Sequence, residues 1–305
     1  MLYDLIIIGG GPAGITAGIY ATRQKLNTLL ITKDFGGQVA RKAVAIENYP
    51  GFEEISGLEL IQKFEKHLRK QKIDVERDEV IKLKKIGKNF LVFTKSKNRF
   101  ESKTVIIASG ADPRPLEVPG EKKFIGRGLS YCTACDAPLF NNKTVVVIGG
   151  GNAGFEAALA LTHWVKKIYI LEYSLKVGAD EINQERVKKT GKVKIINSVI
   201  LKEIKGEKFV NSIIYQDRKN GENITLPIEG VFVEIGSQPA TSFVKDLVNF
   251  NEKDEIIVGP KTSQTKTPGL FAAGDVDDVP YKQIVIAAGE GAKAALSAYN
   301  YLQKF

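Results

Sequence analysis

Two segments of this chain follow the same plan: "YDLIIIGGGPAGITAGIYATRQKLNTLLIT" (3–32) and "KTVVVIGGGNAGFEAALALTHWVKKIYILE" (143–172). Each opens on a run of aliphatic and β-branched residues and reaches a Gly cluster. An Ala-rich stretch follows, then a second apolar run. Short apolar runs bounded by Gly read as buried strands, and the longer Ala-rich stretch reads as a helix. Strand, Gly-rich turn, helix, parallel strand is the βαβ opening of a dinucleotide-binding domain. Its occurrence twice predicts an α/β chain with two Rossmann-like domains.

The rest of the chain sets how the two are joined. "SGLELIQKFEKHLRKQ" reads as a helix with a capping box from Ser56 to Glu59. Short strands follow to about Thr94, and the Lys-rich run 83–103 alternates with apolar residues as hairpin strands do. "TVIIASG" (104–110) is a further strand. The second half runs in parallel, from a helix near Glu181 to a strand in "GVFVEIG" (230–236). Each late strand precedes a Pro-containing loop, 111–121 and 237–242, read as a domain crossing. A closing helix spans about Gln283 to Leu302. The expected domains are therefore 1–113 with 243–305, and 114–242 inserted between them.

Composition narrows the function classes. A chain of 305 residues, 43% hydrophobic and 26% charged, can bury a sizeable core. Its net charge of +9 comes from Lys spread along the chain, not clustered with aromatics on one element. That excludes nucleic acid as the expected partner and reads as a solvated surface, or as steering of an acidic partner. The apolar N-terminal run lacks a basic start and is broken by Gly-Gly-Gly-Pro, so neither a signal peptide nor a membrane span is expected. A cytoplasmic, reducing location follows, where a structural disulfide is disfavoured.

Gly9, Gly11 and Gly14, with Pro12 and Ala13 between them, fit GxGxxG; so do Gly149, Gly151 and Gly154, with Asn152 and Ala153. Glycines there allow a tight turn and close approach of backbone to pyrophosphate, which the helix N-terminus attracts. Two such loops point to a bound flavin dinucleotide, FAD, and an exchangeable nicotinamide dinucleotide. Glu172 closes the strand after the second loop, where an acid accepts from ribose hydroxyls and repels a 2′-phosphate. Only Lys176 is near in sequence, with no Arg between 172 and 180, so NADH is expected over NADPH. In the first unit the equivalent strand is expected to end at Thr32-Lys33, so the ribose contact there differs.

Both cysteines of the chain lie in "YCTACDAPLF", as Cys132 and Cys135. Zinc needs about four ligands. The two histidines, His67 and His163, lack the spacing to supply the others, so no metal is expected. The pair is then either two inert small residues or a dithiol–disulfide couple, and the second reading gives electrons from a flavin somewhere to go. Asp136 is either a proton donor to a departing thiolate or the N-cap of the "APLF" turn.

With these residues assembled, the chain resembles the low-molecular-weight thioredoxin reductase family of flavin disulfide reductases. The resemblance covers essentially the whole chain. It rests on "GGGPAG", "FGGQVA", "AIENYPGF", "IIASGA", "YCTACDAPLF", "GGGNAG", "FAAGD" and "YKQIVIAAGEGAKAA", in that order. "LEYSLKVGADE" and the closing segment are most similar to the reductase portion of alkyl hydroperoxide reductase flavoproteins. Those carry an N-terminal thioredoxin-fold region, not expected here because Gly9 follows Met1 so closely. The resemblance implies FAD held by Gly9, Gly11, Gly14, Gly37, Gln38, Asn48, Asp275 and Lys282-Gln283. It implies Cys135 facing the flavin, Cys132 attacking a partner disulfide, and Asp136 as the acid. It also implies a homodimer, a rotation of the inserted domain, and a thioredoxin-like or glutaredoxin-like partner, with a peroxiredoxin system as a further alternative.

The chain departs from that family in three places. "LEYSLK" replaces the usual His-Arg-Arg, Ala137 replaces a Gly, and Lys282 stands where many members have Arg. The missing arginines keep open a reductase fed by ferredoxin or a deazaflavin. Two other readings are a flavin-dependent dithiol oxidase, opposed by the intact second loop, and a non-enzymatic FAD- and NAD-binding redox sensor.

Overall fold

The structure is a computed structural model that describes residues 1–42 and 46–304. The chain forms two compact units, Met1–Asp112 with Ser237–Phe305, and Pro113–Gly236. The insertion expected from the repeat is present, with the second division earlier than residue 242. The reason lies in local pairing. Ala240 N donates to Gly110 O at 3.0 Å and Ser109 Oγ to Ala240 O at 2.8 Å, which keeps 237–242 with the first unit.

Along the chain come β1 (Leu2–Gly10), α1 (Pro12–Arg23), β2 (Thr28–Phe35), α2 (Gly37–Lys42), α3 (Gly57–Arg69) and β3 (Asp74–Glu76). Then follow β4 (Val80–Ile86), β5 (Asn89–Thr94), β6 (Arg99–Ile107) and β7 (Ala111–Pro113). The second unit holds α4 (Glu121–Phe124), β8 (Leu129–Ser130), α5 (Thr133–Asp136), β9 (Thr144–Ile148), α6 (Asn152–Leu161) and β10 (Lys167–Glu172). It continues with α7 (Glu181–Lys189), β11 (Val193–Asn197), β12 (Val199–Gly206), β13 (Val210–Asp217), β14 (Asn223–Pro227) and β15 (Gly230–Val233). The chain returns through β16 (Ser237–Pro239), which pairs with β7, then β17 (Leu270–Ala272) and α8 (Ile284–Leu302).

The first unit's sheet has the order β3-β2-β1-β6-β5-β4, with β17 also on β6. β1 is parallel to β2 and β6, while β4 and β5 extend the sheet as the expected antiparallel hairpin. β1 is unbroken in hydrophobicity because both its faces are covered. Leu5 and Ile7 pack with Ala17, Ala294 and Ala298 of α1 and α8, and Ile6 and Ile8 with Val244, Ile256 and Val276. Each such side chain stabilises the fold by about 1.5–3 kcal/mol relative to exposure. α3 starts as expected, with Ser56 Oγ accepting from Glu59 N at 3.2 Å. β2 runs on to Phe35, beyond the expected end at Thr32-Lys33, because Gly10 pairs with Phe35 and Gly36 N donates to Gly10 O at 2.8 Å.

The second unit repeats the logic with a parallel sheet in the order β11-β10-β9-β15-β8. Val145 and Val147 face Phe155 and Leu161, and Val146 and Ile148 face Tyr215 and Val231. An antiparallel sheet β12-β13-β14 packs beside it. Both Gly-rich turns stand at the carboxyl end of a central parallel strand, the end where open α/β sheets take ligands. Among the described residues no helix is long and apolar enough to cross a membrane.

Candidate functional site

The two Gly-rich turns have nearly the same geometry. Gly9 and Gly149 both have φ of +118°, and a Cβ would stand 2.1 Å from Ala108 O at the first and 2.3 Å from Glu234 O at the second. Gly14 and Gly154 lie so close beneath them that a Cβ would meet the carbonyl oxygen of Gly9 or Gly149 at 1.9 Å. These four glycines serve packing. Gly11 and Gly151 do not: each is the N-cap of its helix, with no side-chain cap, and a Cβ there meets nothing within 4 Å. Uncapped helix N–H groups facing open space at α1 and α6 fit the pyrophosphate of a dinucleotide. Pro12 occupies the first helical turn and Ala13 is buried under α8, where a Cβ on Gly291 would meet Ala13 O at 2.1 Å.

The first unit gathers the remaining expected residues around its turn. Gln38 bonds to Ala111 O and to the Asp275 carboxyl, and Asn48 Nδ2 donates to Gln283 Oε1 at 3.2 Å. Gly37 has φ of +51° with no neighbour in the direction of a Cβ. Lys282 Nζ donates to Asp277 O and pairs with Glu255 Oε1 at 3.2 Å. Burial raises the Asp275 carboxyl, and Lys282 and Gln38 pull it back.

Sequence reading missed two neighbours here. Asp277 is fully buried; its Oδ1 accepts from Val279 N at 3.0 Å and its Oδ2 has no partner among the described residues. Burial, then the Glu290 charge, pushes it up to about 7. Glu290 Oε2 accepts from Gly274 N at 2.9 Å, which ties α8 to the "GD" turn. The only signal was two acids in apolar surroundings, "GDVDDVP" and "AAGEGAKAA".

In the second unit Cys132 and Cys135 are joined as a disulfide with Cα atoms 5.3 Å apart, Cys132 capping α5. Cys135 is exposed and Cys132 half-buried. Ser130 braces the turn, its Oγ accepting from Cys132 N at 3.0 Å. Tyr131 OH bonds to Glu121, whose carboxylate also accepts from Leu116 N and Glu117 N. Asp136 precedes the turn Ala137–Phe140 but makes no side-chain cap bond to it, so the capping alternative is not realised. Burial raises its carboxyl, partly offset by a hydrogen bond from Ser130.

Glu172 stands beside the second Gly-rich turn as expected. Its Oε2 accepts from Gly150 N and its Oε1 from Ser174 N, both at 2.7 Å. Burial raises its pKa, but the backbone donors Ser174, Gly150 and Tyr173 outweigh this and hold it below the ordinary carboxylate range. Each oxygen retains an acceptor site for a hydroxyl. Asn152 is engaged with Asp180 at the start of α7, Oδ1 accepting from Asp180 N at 2.8 Å; Ala153 is exposed. The expectation of no arginine near Glu172 is corrected in space. Arg218, after β13, lies with Cζ 3.9 Å from the Tyr173 ring centroid and donates to Tyr173 O at 2.9 Å. A search along the chain could not find it, since β13 packs beside β10 only through tertiary structure.

Comparison with known proteins agrees with this site. A Pseudomonas aeruginosa flavoprotein component of alkyl hydroperoxide reductase is 41% identical over 305 residues, covering 98% of this chain and 58% of that protein. A Bacillus subtilis protein named NADH dehydrogenase is 41% identical over 302 residues, with the same shares. The chain thus spans 58% of the length of these curated relatives. The crystal structure of thioredoxin reductase from Streptococcus pyogenes superposes with a TM-score of 0.94 at 38% identity, covering 100% of this chain and 99% of that one. Thioredoxin reductase from Giardia duodenalis gives 0.93 at 32%, covering 99% of each. The description "Pyridine nucleotide-disulphide oxidoreductase" matches residues 3–291. With two Gly-rich dinucleotide turns and a Cys-x-x-Cys disulfide in place, the chain belongs to the pyridine nucleotide-disulphide oxidoreductase family, a family of enzymes.

Proposed function

We propose that this chain passes electrons from NADH, by way of FAD, to the Cys132–Cys135 disulfide and on to the disulfide of a thioredoxin-like or glutaredoxin-like protein. The observation that carries the reading is a disulfide on an exposed helical turn in the unit that holds the second Gly-rich loop. In this reading the first unit is the FAD-binding domain. Gly9, Gly11, Pro12, Ala13 and Gly14 seat the pyrophosphate, while Gly37, Gln38, Asn48, Asp275, Lys282 and Gln283 hold the rest. The second unit is the nicotinamide-binding domain, served by Gly149, Gly151, Asn152, Ala153, Gly154 and Glu172. When bound, the flavin supplies a two-electron relay between nicotinamide and disulfide.

Once Cys132 and Cys135 are reduced, the Cys132 thiolate attacks one sulfur of the partner disulfide and forms a mixed disulfide. Cys135 then attacks Cys132 Sγ, which restores the internal disulfide and releases the partner as a dithiol. Asp136, kept protonated further up the pH scale by burial, gives a proton to the departing thiolate. NADH is favoured because Glu172 is ionised beside Gly150, where a 2′-phosphate would meet like charge, and because one relative carries the name NADH dehydrogenase. The alkyl hydroperoxide reductase relatives favour a peroxiredoxin-linked partner as a further member of the same substrate class. A homodimer in the cytoplasm belongs to this reading by resemblance.

Anaerobic titration of the yellow protein with NADH and NADPH in turn tests it. Bleaching of the flavin band by NADH at far lower concentration supports the assignment, and equal bleaching by NADPH overturns the role of Glu172. No bleaching by either, with dithionite still effective, means that electrons enter elsewhere.

A further inference from the structure

Glu234, just after β15, belongs to none of the sites above, yet it touches two of them. Its Oε1 accepts from the hydroxyl of Thr133 at 2.9 Å, and Thr133, 7% exposed, is the residue that follows Cys132 in α5. Its main chain is fixed on the other side: Glu234 N donates to Ile148 O at 2.9 Å, and the Glu234 carbonyl fills the place where Gly149 would carry a Cβ. One residue therefore has its backbone locked against the second Gly-rich loop and its side chain locked to the disulfide turn.

The surroundings give that carboxyl an unusual charge state. Burial pushes it up to about 7; the Thr133 hydrogen bond lowers it and the Glu156 charge on α6 raises it. The other titratable groups on the adjoining elements are Asp136 at the end of α5 and Glu172 of β10, the latter held ionised next to Gly150. Both cysteines lie within one helical turn of Thr133. At that range a partly buried carboxylate opposes formation of a second negative charge on sulfur.

We propose that Glu234 is a positioning residue for the disulfide step: through Thr133 it holds α5 in register with the second Gly-rich loop, and as a carboxylate it restrains thiolate formation at Cys132 and Cys135. This rests on the reading of the two cysteines as a redox couple. The internal disulfide takes two electrons and two protons to become a dithiol, and dithiothreitol supplies both as it closes to its own cyclic disulfide. The probe therefore needs no nicotinamide turnover.

The experiment is alkylation of the dithiothreitol-reduced, desalted full chain with iodoacetamide across pH 5–10, with Cys132 and Cys135 followed by mass spectrometry. The wild-type profile is expected to show an inflection near the Glu234 value of about 7 in addition to that of the thiol. Glu234→Gln keeps an acceptor for Thr133 but cannot ionise. It should lose the lower inflection and react about three- to tenfold faster at pH 8, the equivalent of half to one pKa unit. Thr133→Val breaks the link from the other end and should also lose the lower inflection. Profiles of Glu234→Gln that superimpose on wild type overturn the proposal, as does a Thr133→Val profile that keeps the inflection. A pair that dithiothreitol cannot open sinks the couple and this inference together. Shifted profiles without turnover on any protein disulfide leave Glu234 in its role and overturn only the electron-transfer reading.

Discussion

Gly14 lies directly beneath the carbonyl of Gly9, so close that a methyl group on Gly14 would stand 1.9 Å from that oxygen. Two residues later than Gly9, Gly11 has nothing in the direction of a Cβ. The same motif thus contains a packing glycine and a ligand-approach glycine. Gly14→Ala should destabilise the protein by about 1–3 kcal/mol or more, through overpacking against backbone that cannot yield. Gly11→Ala should stay within about 0.5 kcal/mol of wild type and lose bound flavin. Calorimetry paired with the visible spectrum separates the two, and equal melting of both variants would contradict the division.

Cys132→Ser should leave bleaching of the flavin band by nicotinamide intact and abolish reduction of a thioredoxin disulfide. Full activity of that variant would end the proposed relay.

Asp136→Asn should slow partner reduction by roughly 10²–10⁴-fold, the usual worth of a positioned acid. Because burial raises the Asp136 pKa, the acid form persists above the ordinary carboxyl range and is lost as pH rises through the raised value. Wild-type partner reduction should fall on that limb. A flat pH profile shared by both proteins would remove Asp136 from the mechanism.

Glu172→Gln should weaken NADH binding and narrow the preference over NADPH. Its carboxylate is depressed in the folded state, so its stabilising contribution is present at neutral pH and is lost as pH falls through the folded value. The variant should therefore lose less stability on acidification than wild type. Arg218 is committed to Tyr173 by a stacked contact and a hydrogen bond, so Arg218→Ala should change the NADH to NADPH ratio of kcat/KM by less than about tenfold. A selective collapse of NADPH use would identify Arg218 as a phosphate ligand.

Asp277 carries the opposite sign. Its folded value of about 7 lies above that of an unfolded carboxyl, so the folded state holds the proton more tightly; stability is full below the unfolded value and declines as pH rises towards and through about 7. Asp277→Asn should flatten that decline and raise Tm at pH 8 relative to pH 5, by at most about 4 kcal/mol from the size of the shift. A variant that melts with the same pH slope as wild type would show that Asp277 ionises freely.

The sequence by itself determined the features written in local pattern. The double βαβ plan, the Ser56 cap, the hairpin in 83–103 and the closing helix follow from periodicity and punctuation within short windows. So do the two Gly-rich turns and the Cys pair, because the close backbone approach and the short thiol spacing are local demands. Tertiary structure decided what depends on residues distant along the chain. It brings Asn48 to Gln283 and Gln38 to Asp275, sets Arg218 over Tyr173, and joins Glu234 to Thr133. It also ended the role of Asp136 as a cap, since the backbone after α5 turns without using its carboxyl. The charge states of Glu234 and Asp277 follow from burial, which is a property of the packed sheet and helices rather than of neighbouring letters.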